Sequence, residues 1–212
     1  MPRSGRDTDT ERRILDAAHG VFLERGTAGA RMQDIARKAD VNQALLHYYF
    51  RSKDRLAEAV FRRAASQLFR SVIEVLASSA ALEEKIARVV QVEIDHLLHA
   101  PNLPGYILSE LTHRPERAPQ LISMLTGAAP EDIRQRVLAT LQRQIDEAVR
   151  ARRMKEMAPE QFMVNLMSLC IFPFAARPML MAILGLDARG FERFIAERRQ
   201  TLAPFFSRAL RP

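Results

Sequence analysis

The stretch from Met32 to Phe50 constrains the fold more than any other part of the chain. Met32, Ile35, Ala36 and Ala39 form a short apolar pattern at helical spacing. Asp40 and Val41 interrupt it, and Ala44, Leu45, Leu46, Tyr48 and Tyr49 form a second pattern that ends at Phe50. Two brief helices joined by so tight a turn meet the stereochemical demands of a helix-turn-helix. A small residue, Ala36, lets the second helix approach the first, and the turn takes a left-handed conformation. The turn position is Asp40 rather than glycine, and Asp is one of the few side chains that visits positive φ at modest cost. Ile35, Ala39, Val41, Leu46 and Tyr49 then face a shared core, while Gln33, Gln43, Ala44, His47 and Tyr48 turn outward.

The rest of the chain predicts an all-α fold. Hydrophobic residues make up 48% and charged residues 27% of the 212, as in ordinary globular proteins, and Ala, Leu, Arg and Glu outweigh the β-branched and aromatic residues that strands favour. The single Cys170 excludes an internal disulfide and a cysteine-based zinc site, which points to a reducing compartment. Met1 to Arg13 are polar and charged and lack an apolar signal region, so a cytoplasmic location is expected. Met163 to Leu186 is long enough to cross a bilayer but carries Asn165, Pro173, Arg177 and Pro178. It reads as a buried or interface helix, with no membrane among the expected partners.

Apolar spacing predicts a first helix over about Asp9 to Arg25, with Thr8 and Glu11 at capping-box spacing and Gly26 as its C-terminal cap. Ser52, Lys53 and Asp54 open a long helix to about Leu76, and Leu82 to His99 form another, stopped by Pro101, Pro104 and Gly105. Tyr106 to Thr112, about Glu131 to Arg153, Pro159 to Leu184 and Ala188 to Leu210 complete the predicted helices. Residues 1 to 63 hold 13 Lys or Arg against 9 Asp or Glu, so +4 of the chain's +7 sits in under a third of its length. A basic, compact first domain suits a polyanion, although a solvated positive face carries the same signature.

At this point the sequence resembles the TetR family of bacterial repressors. The resemblance is carried by Ile14 to Phe22 and Gly26, by Met32-Gln33-Asp34-Ile35-Ala36, by Val41-Asn42, and by Leu46-His47-Tyr48-Tyr49-Phe50-Arg51-Ser52-Lys53-Asp54-Arg55-Leu56. It covers about residues 9 to 61 and implies an N-terminal three-helix DNA-binding domain over 1–54. A C-terminal helical domain for ligand binding and dimerisation follows over 55–212. It further implies that the helix from Asn42 to Tyr49 enters the major groove, with Asn42 capping it and Gln43 reaching base edges, since Gln pairs bidentately with adenine. Gln33 and Ala44 stand where relatives also reach a base, and His47, Tyr48 and Lys53 stand where relatives meet phosphates. Two departures stand out: Ala30 and Arg31 replace the usual Thr, and His47 the usual Tyr. Loss of a Thr cap weakens the start of helix 2 by ~1 kcal/mol at most, and Arg31 offers a charged phosphate contact instead. Tyr48 and Tyr49 also suit simple closure of the domain core.

Tight binding by so small a domain calls for a two-fold dimer that reads a palindromic operator in double-stranded DNA. The last two predicted helices offer the apolar surface: Phe172, Phe174, Leu180 and Ile183 on one, Phe191, Phe194, Leu202, Phe205 and Phe206 on the other. The resemblance places a four-helix-bundle homodimer interface there, against the plainer reading of these residues as monomer core. It also implies a pocket for an unidentified small-molecule effector, for which the candidates are Leu98, Tyr106, Ile107, Glu110, Met124, Leu141, Phe162, Met163 and Leu166. Pro173 frees a backbone carbonyl in mid-helix. Arg177, in so apolar a run, needs an anionic or carbonyl partner within the protein, across the dimer or on a carboxylated ligand.

Two other readings stand beside this one. An architectural protein that binds DNA with low specificity and no effector fits the same basic domain. A metal effector is weighed on Glu93, His96 and His99 and on Glu110 with His113, but nothing else locks these into a site, and no metal is expected. No phosphate loop, metal triad or nucleophile with base and orienter is recognisable, so neither an enzyme nor a cofactor is expected.

Overall fold

A computed structural model describes residues 5–119, 123 and 129–212, and the elements among them are helices. They are α1 (Gly5–Gly29), α2 (Met32–Lys38), α3 (Gln43–Phe50), α4 (Lys53–Ala77), α5 (Leu82–His99), α6 (Leu103–His113), α7 (Pro130–Arg150), α8 (Pro159–Ala175), α9 (Arg177–Leu184) and α10 (Ala188–Ala209). The all-α expectation stands. The first helix, however, begins upstream of Asp9: Thr8 and Glu11 lie inside α1, so the capping-box spacing does not mark its start. Gly26 does end the regular helix, with φ 68° and ψ 164°. An added Cβ there would meet nothing within 4 Å, so the glycine serves the positive φ rather than a close approach.

The short helices are held by the residues that flank them. Asp40 takes the left-handed conformation with φ 52°, and the Arg13 guanidinium donates to the carbonyls of Ala39 and Asp40 at 2.7 and 2.9 Å, fastening the turn to α1. The Asn42 side chain accepts from the Leu45 amide at 2.7 Å and Ser52 from the Arg55 amide at 3.2 Å, capping α3 and α4. Arg31, by contrast, gives α2 no side-chain cap, as the missing Thr implies. Ile14, Ala18, Phe22, Ile35, Leu46 and Leu56 are buried between α1, α2, α3 and the start of α4. Each of the larger ones contributes about 1.5–3 kcal/mol relative to exposure.

Helix α4 leaves this small core and packs against α5, α6 and α7, while α5 is flanked by α8 and α10. Pro104, read from sequence as a stop, instead sits in the first turn of α6, where its missing N–H costs no hydrogen bond. The single helix expected over Pro159 to Leu184 is two, α8 and α9, bent by 73° at Ala176. Pro173 and Pro178 account for the break, because they withdraw the amides that would bond Leu169 and Phe174. The freed Leu169 carbonyl is recovered by Arg198 of α10, whose Nε and terminal nitrogen donate to it at 3.2 and 2.9 Å. No single described helix is long and apolar enough to cross a membrane.

Candidate functional site

The geometry of α3 sorts its side chains sharply. Leu46 and Phe50 are buried, and Tyr49 packs against the core while its hydroxyl donates to Asp7 at 2.9 Å. On the opposite face Gln43, Ala44, His47 and Tyr48 are exposed, Tyr48 at 74%, and Gln33 of α2 is exposed beside them. Tyr48 therefore does not close the core, whereas Tyr49 does. The His47 ring contacts the Arg51 carbonyl at 3.1 Å, and Arg51 itself stands at φ 61°.

The charges around this face are distributed in a way that spacing alone does not reveal. Arg25 and Arg37 are both drawn to Asp34, and Lys38 pairs with Glu24. Among the described residues Arg31, Arg51 and Arg55 carry no ion pair. Arg51 and Arg55 were not singled out from sequence; their position between the aromatic end of α3 and the first turn of α4 was the available signal. They share with Tyr48 a shallow cleft of about 720 Å³ beside the helix. Lys53, expected to face a phosphate, donates to the carbonyls of Ala28 and Ala30 at 3.1 and 3.3 Å. It thereby ties the end of α1 to α4, and one of its three N–H groups remains.

A second site lies where the two halves of the chain meet. Phe22, Leu23 and Gly26 of α1, Tyr106, Ser109 and Glu110 of α6, and Phe174, Arg177 and Pro178 at the α8–α9 break line a cleft of about 350 Å³. Of the expected effector residues, Tyr106, Glu110 and Arg177 meet here. Ile107, Phe162 and Leu166 are instead fully buried in the packed core, with Phe162 edge-on to Phe206, and Leu98 packs at the core's margin. Leu141 is core as well, Met163 is half-buried, and Met124 lies outside the described residues. Both oxygens of Glu110 are engaged, one by the Thr27 hydroxyl at 2.5 Å and the other by Arg117 at 2.6 Å. Glu110 thus joins α1 to α6. The Arg177 guanidinium lies 5.1 Å from the Phe191 ring centroid, with its Nε buried and unbonded, and the buried Tyr106 hydroxyl sits next to Thr27 without a well-formed hydrogen bond. Burial pushes the Tyr106 phenol up, so it remains a donor.

The apolar residues expected at a dimer face divide into two groups. Phe174, Phe191, Leu202 and Phe206 are buried within the chain and cannot meet a partner; periodicity marks them as apolar but not which way they turn. Phe172, Ile183 and Phe205 are more than half exposed, Leu180 and Phe194 are half-buried, and Val164, Met179 and Leu184 are exposed as well.

Deep in the C-terminal half, Glu93 and His96 of α5 keep an unbonded carboxyl oxygen and an unbonded Nε2. Burial raises the Glu93 pKa to about 8 and lowers that of His96, to which the charge of His99 adds. Burial, with nearby Glu93, holds the Cys170 thiol up at about 12, which leaves it inert. Among the described residues no three His, Cys, Asp or Glu side chains converge on a metal position.

Residues 14–60 match the family model described as bacterial regulatory proteins, tetR family. An HTH-type transcriptional regulator BetI of Rhizobium meliloti (strain 1021) is 32% identical over 92 residues, 43% of this chain and 45% of that one. The BetI of Brucella suis biovar 1 (strain 1330) is 33% identical over the same share of this chain and 46% of its own. The match thus spans under half the length of these relatives. Among solved structures, a TetR family transcription regulator from Marinobacter aquaeolei VT8 superposes with a TM-score of 0.64 at 16% identity, covering 97% of both chains. FadR from Bacillus subtilis, solved with stearoyl-CoA, gives 0.56 at 18% identity over 92% of this chain and 97% of its own. At such identities the likeness is one of fold.

Proposed function

We propose that this chain, whose residues 14–60 match the tetR family model, is a DNA-binding transcriptional regulator of that family and acts as a homodimeric repressor. In this reading it holds a palindromic operator and releases it when a small molecule binds. The observation that carries the reading is the exposed face of α3, Gln43, Ala44, His47 and Tyr48, supported from beneath by buried Leu46 and Phe50. A helix so mounted presents side chains to the major groove without unfolding anything. Gln43 reads a base edge, Gln33 and Ala44 flank it, and Arg31, His47, Tyr48 and the remaining N–H of Lys53 hold phosphates.

The boundary between the DNA-binding domain, 1–54, and the remainder, 55–212, falls in the first turn of α4. A rotation of α4 would therefore move both domains. The partner copy covers the patch of Phe172, Ile183 and Phe205. A ligand that prefers the rotated conformer shifts operator affinity by ~5- to 150-fold for a coupling of about 1–3 kcal/mol. That FadR was solved with stearoyl-CoA supports a small-molecule site in proteins of this fold. The test is competition: the full chain should retain one genomic palindrome against a large excess of random duplex. Equal loss to random duplex would make it an architectural binder instead.

A further inference from the structure

The cleft between the two halves has a chemistry that indicates what would fill it. Its cation is Arg177, which has no carboxylate partner within salt-bridge distance among the described residues. The face of its guanidinium rests on Phe191 and its Nε is buried without an acceptor. A buried N–H of a charged group left without an acceptor costs more than an ordinary unmade bond, so an anionic acceptor at the Arg177 Nε would be favourable. Tyr106 adds a second buried hydroxyl, next to Thr27 but without a well-formed hydrogen bond, on a ring packed against His19 and Phe61. The carboxylate that also lines the cleft, Glu110, is paired with Arg117 and bonded by Thr27, and it is not within salt-bridge distance of Arg177. The walls around these groups are apolar at Phe22, Leu23, Phe174 and Pro178, with Asn102 and Ser109 as further polar lining. The volume, about 350 Å³, lies at the small end of the ~300–1,000 Å³ typical of small-molecule sites.

We propose that this cleft is the effector site and that its ligand is a small organic anion, a carboxylate on a compact apolar body, held by Arg177 and Tyr106. The proposal rests on the effector-released reading above and names the ligand class for it. The position gives the anion its effect. Phe22, Leu23 and Gly26 belong to α1 of the DNA-binding domain, while Tyr106 and Arg177 belong to the helices behind it. An occupant touches both halves beside the Thr27–Glu110 bond that joins them, and a conformer that opens this seam binds it better. A free phosphate would satisfy Arg177 but leave the apolar walls unused, so phosphate is a control rather than the expected ligand.

The full chain is titrated by calorimetry at constant ionic strength with phenylacetate and octanoate, with the matching amides, and with inorganic phosphate. At least one carboxylate should bind, and its amide and phosphate should bind about tenfold or more weakly. Arg177→Gln should weaken the carboxylate about tenfold, and Tyr106→Phe should weaken it severalfold while keeping the ring. No carboxylate binding up to ~10 mM, or equal binding of acid and amide, overturns the proposal. So does wild-type affinity in both variants, and where Arg177→Gln does not fold, Tyr106→Phe decides alone. Retention of a palindromic duplex by the ligand-free wild type is measured alongside. Retention without carboxylate binding overturns only the ligand assignment, whereas absence of retention overturns the repressor reading itself.

Discussion

Replacing Glu93 by Gln should remove a stability penalty that the wild type acquires between mildly acidic and mildly alkaline pH. Glu93 is 1% exposed, one of its oxygens has no partner, and burial raises its pKa from 4.5 to about 8. A carboxyl with a raised folded-state pKa is neutral in the native chain while the unfolded chain ionises. The native state therefore carries no penalty below pH 4.5, an increasing one as pH rises towards 8, and a constant one above that. At about 1.36 kcal/mol per pH unit, the penalty grows by a few kcal/mol between pH 5 and pH 8. Gln keeps the shape and the burial but does not titrate. Urea unfolding of wild type and Glu93→Gln, at one protein concentration, at pH 5 and pH 8, measures the difference directly. The variant's advantage should widen by a few kcal/mol from the lower to the higher pH. Parallel loss of stability in the two proteins would refute the argument that the carboxyl is buried and neutral.

Other outcomes follow from the same structure. Gln43→Ala should lower discrimination at one base position in each half-site by about 1–3 kcal/mol, read from affinities for single-substitution operator variants, with unfolding unchanged. Tyr48→Ala, at an exposed position, should change stability by no more than about 0.5 kcal/mol in a thermal or urea melt while weakening duplex retention. Asn42→Ala should cost ~1 kcal/mol in the same melt through loss of the α3 cap. Arg198→Met, which leaves the Leu169 carbonyl unbonded, should cost about 1–3 kcal/mol. Ile183→Glu, on the exposed patch of α9, should shift sedimentation from dimer to monomer without loss of helix by circular dichroism.

Much of the fold was legible because the deciding interactions are local. The Asp40 turn, the caps at Asn42 and Ser52 and the outward row on α3 each depend on residues within a few positions of one another, and each is found as expected. Long-range geometry was not legible. The final helices are apolar on more than one side, so spacing identified Phe174, Phe191, Leu202 and Phe206 as apolar but not as inward, nor Phe172, Ile183 and Phe205 as outward. Pro173 announced a freed carbonyl but not that Arg198 would take it, and the break at Ala176 needs Pro178 as well. Lys53 turns to Ala28 and Ala30, and Glu110 finds Thr27, 83 positions away, because α1 folds back on both. The cleft that brings Tyr106, Glu110 and Arg177 together is built from three separated segments, so the candidate list mixed its lining with plain core.

Hydroxyl-radical footprinting of the full chain on its retained duplex tests the central claim most directly. Two protected half-sites should appear, related by two-fold symmetry and centred about one helical turn, 10–10.5 bp, or a small multiple apart. Gln43→Ala should alter base preference at symmetry-related positions in both. A single protected stretch without symmetry, or a base preference that Gln43→Ala leaves untouched, would contradict the reading of α3 as the helix that meets DNA.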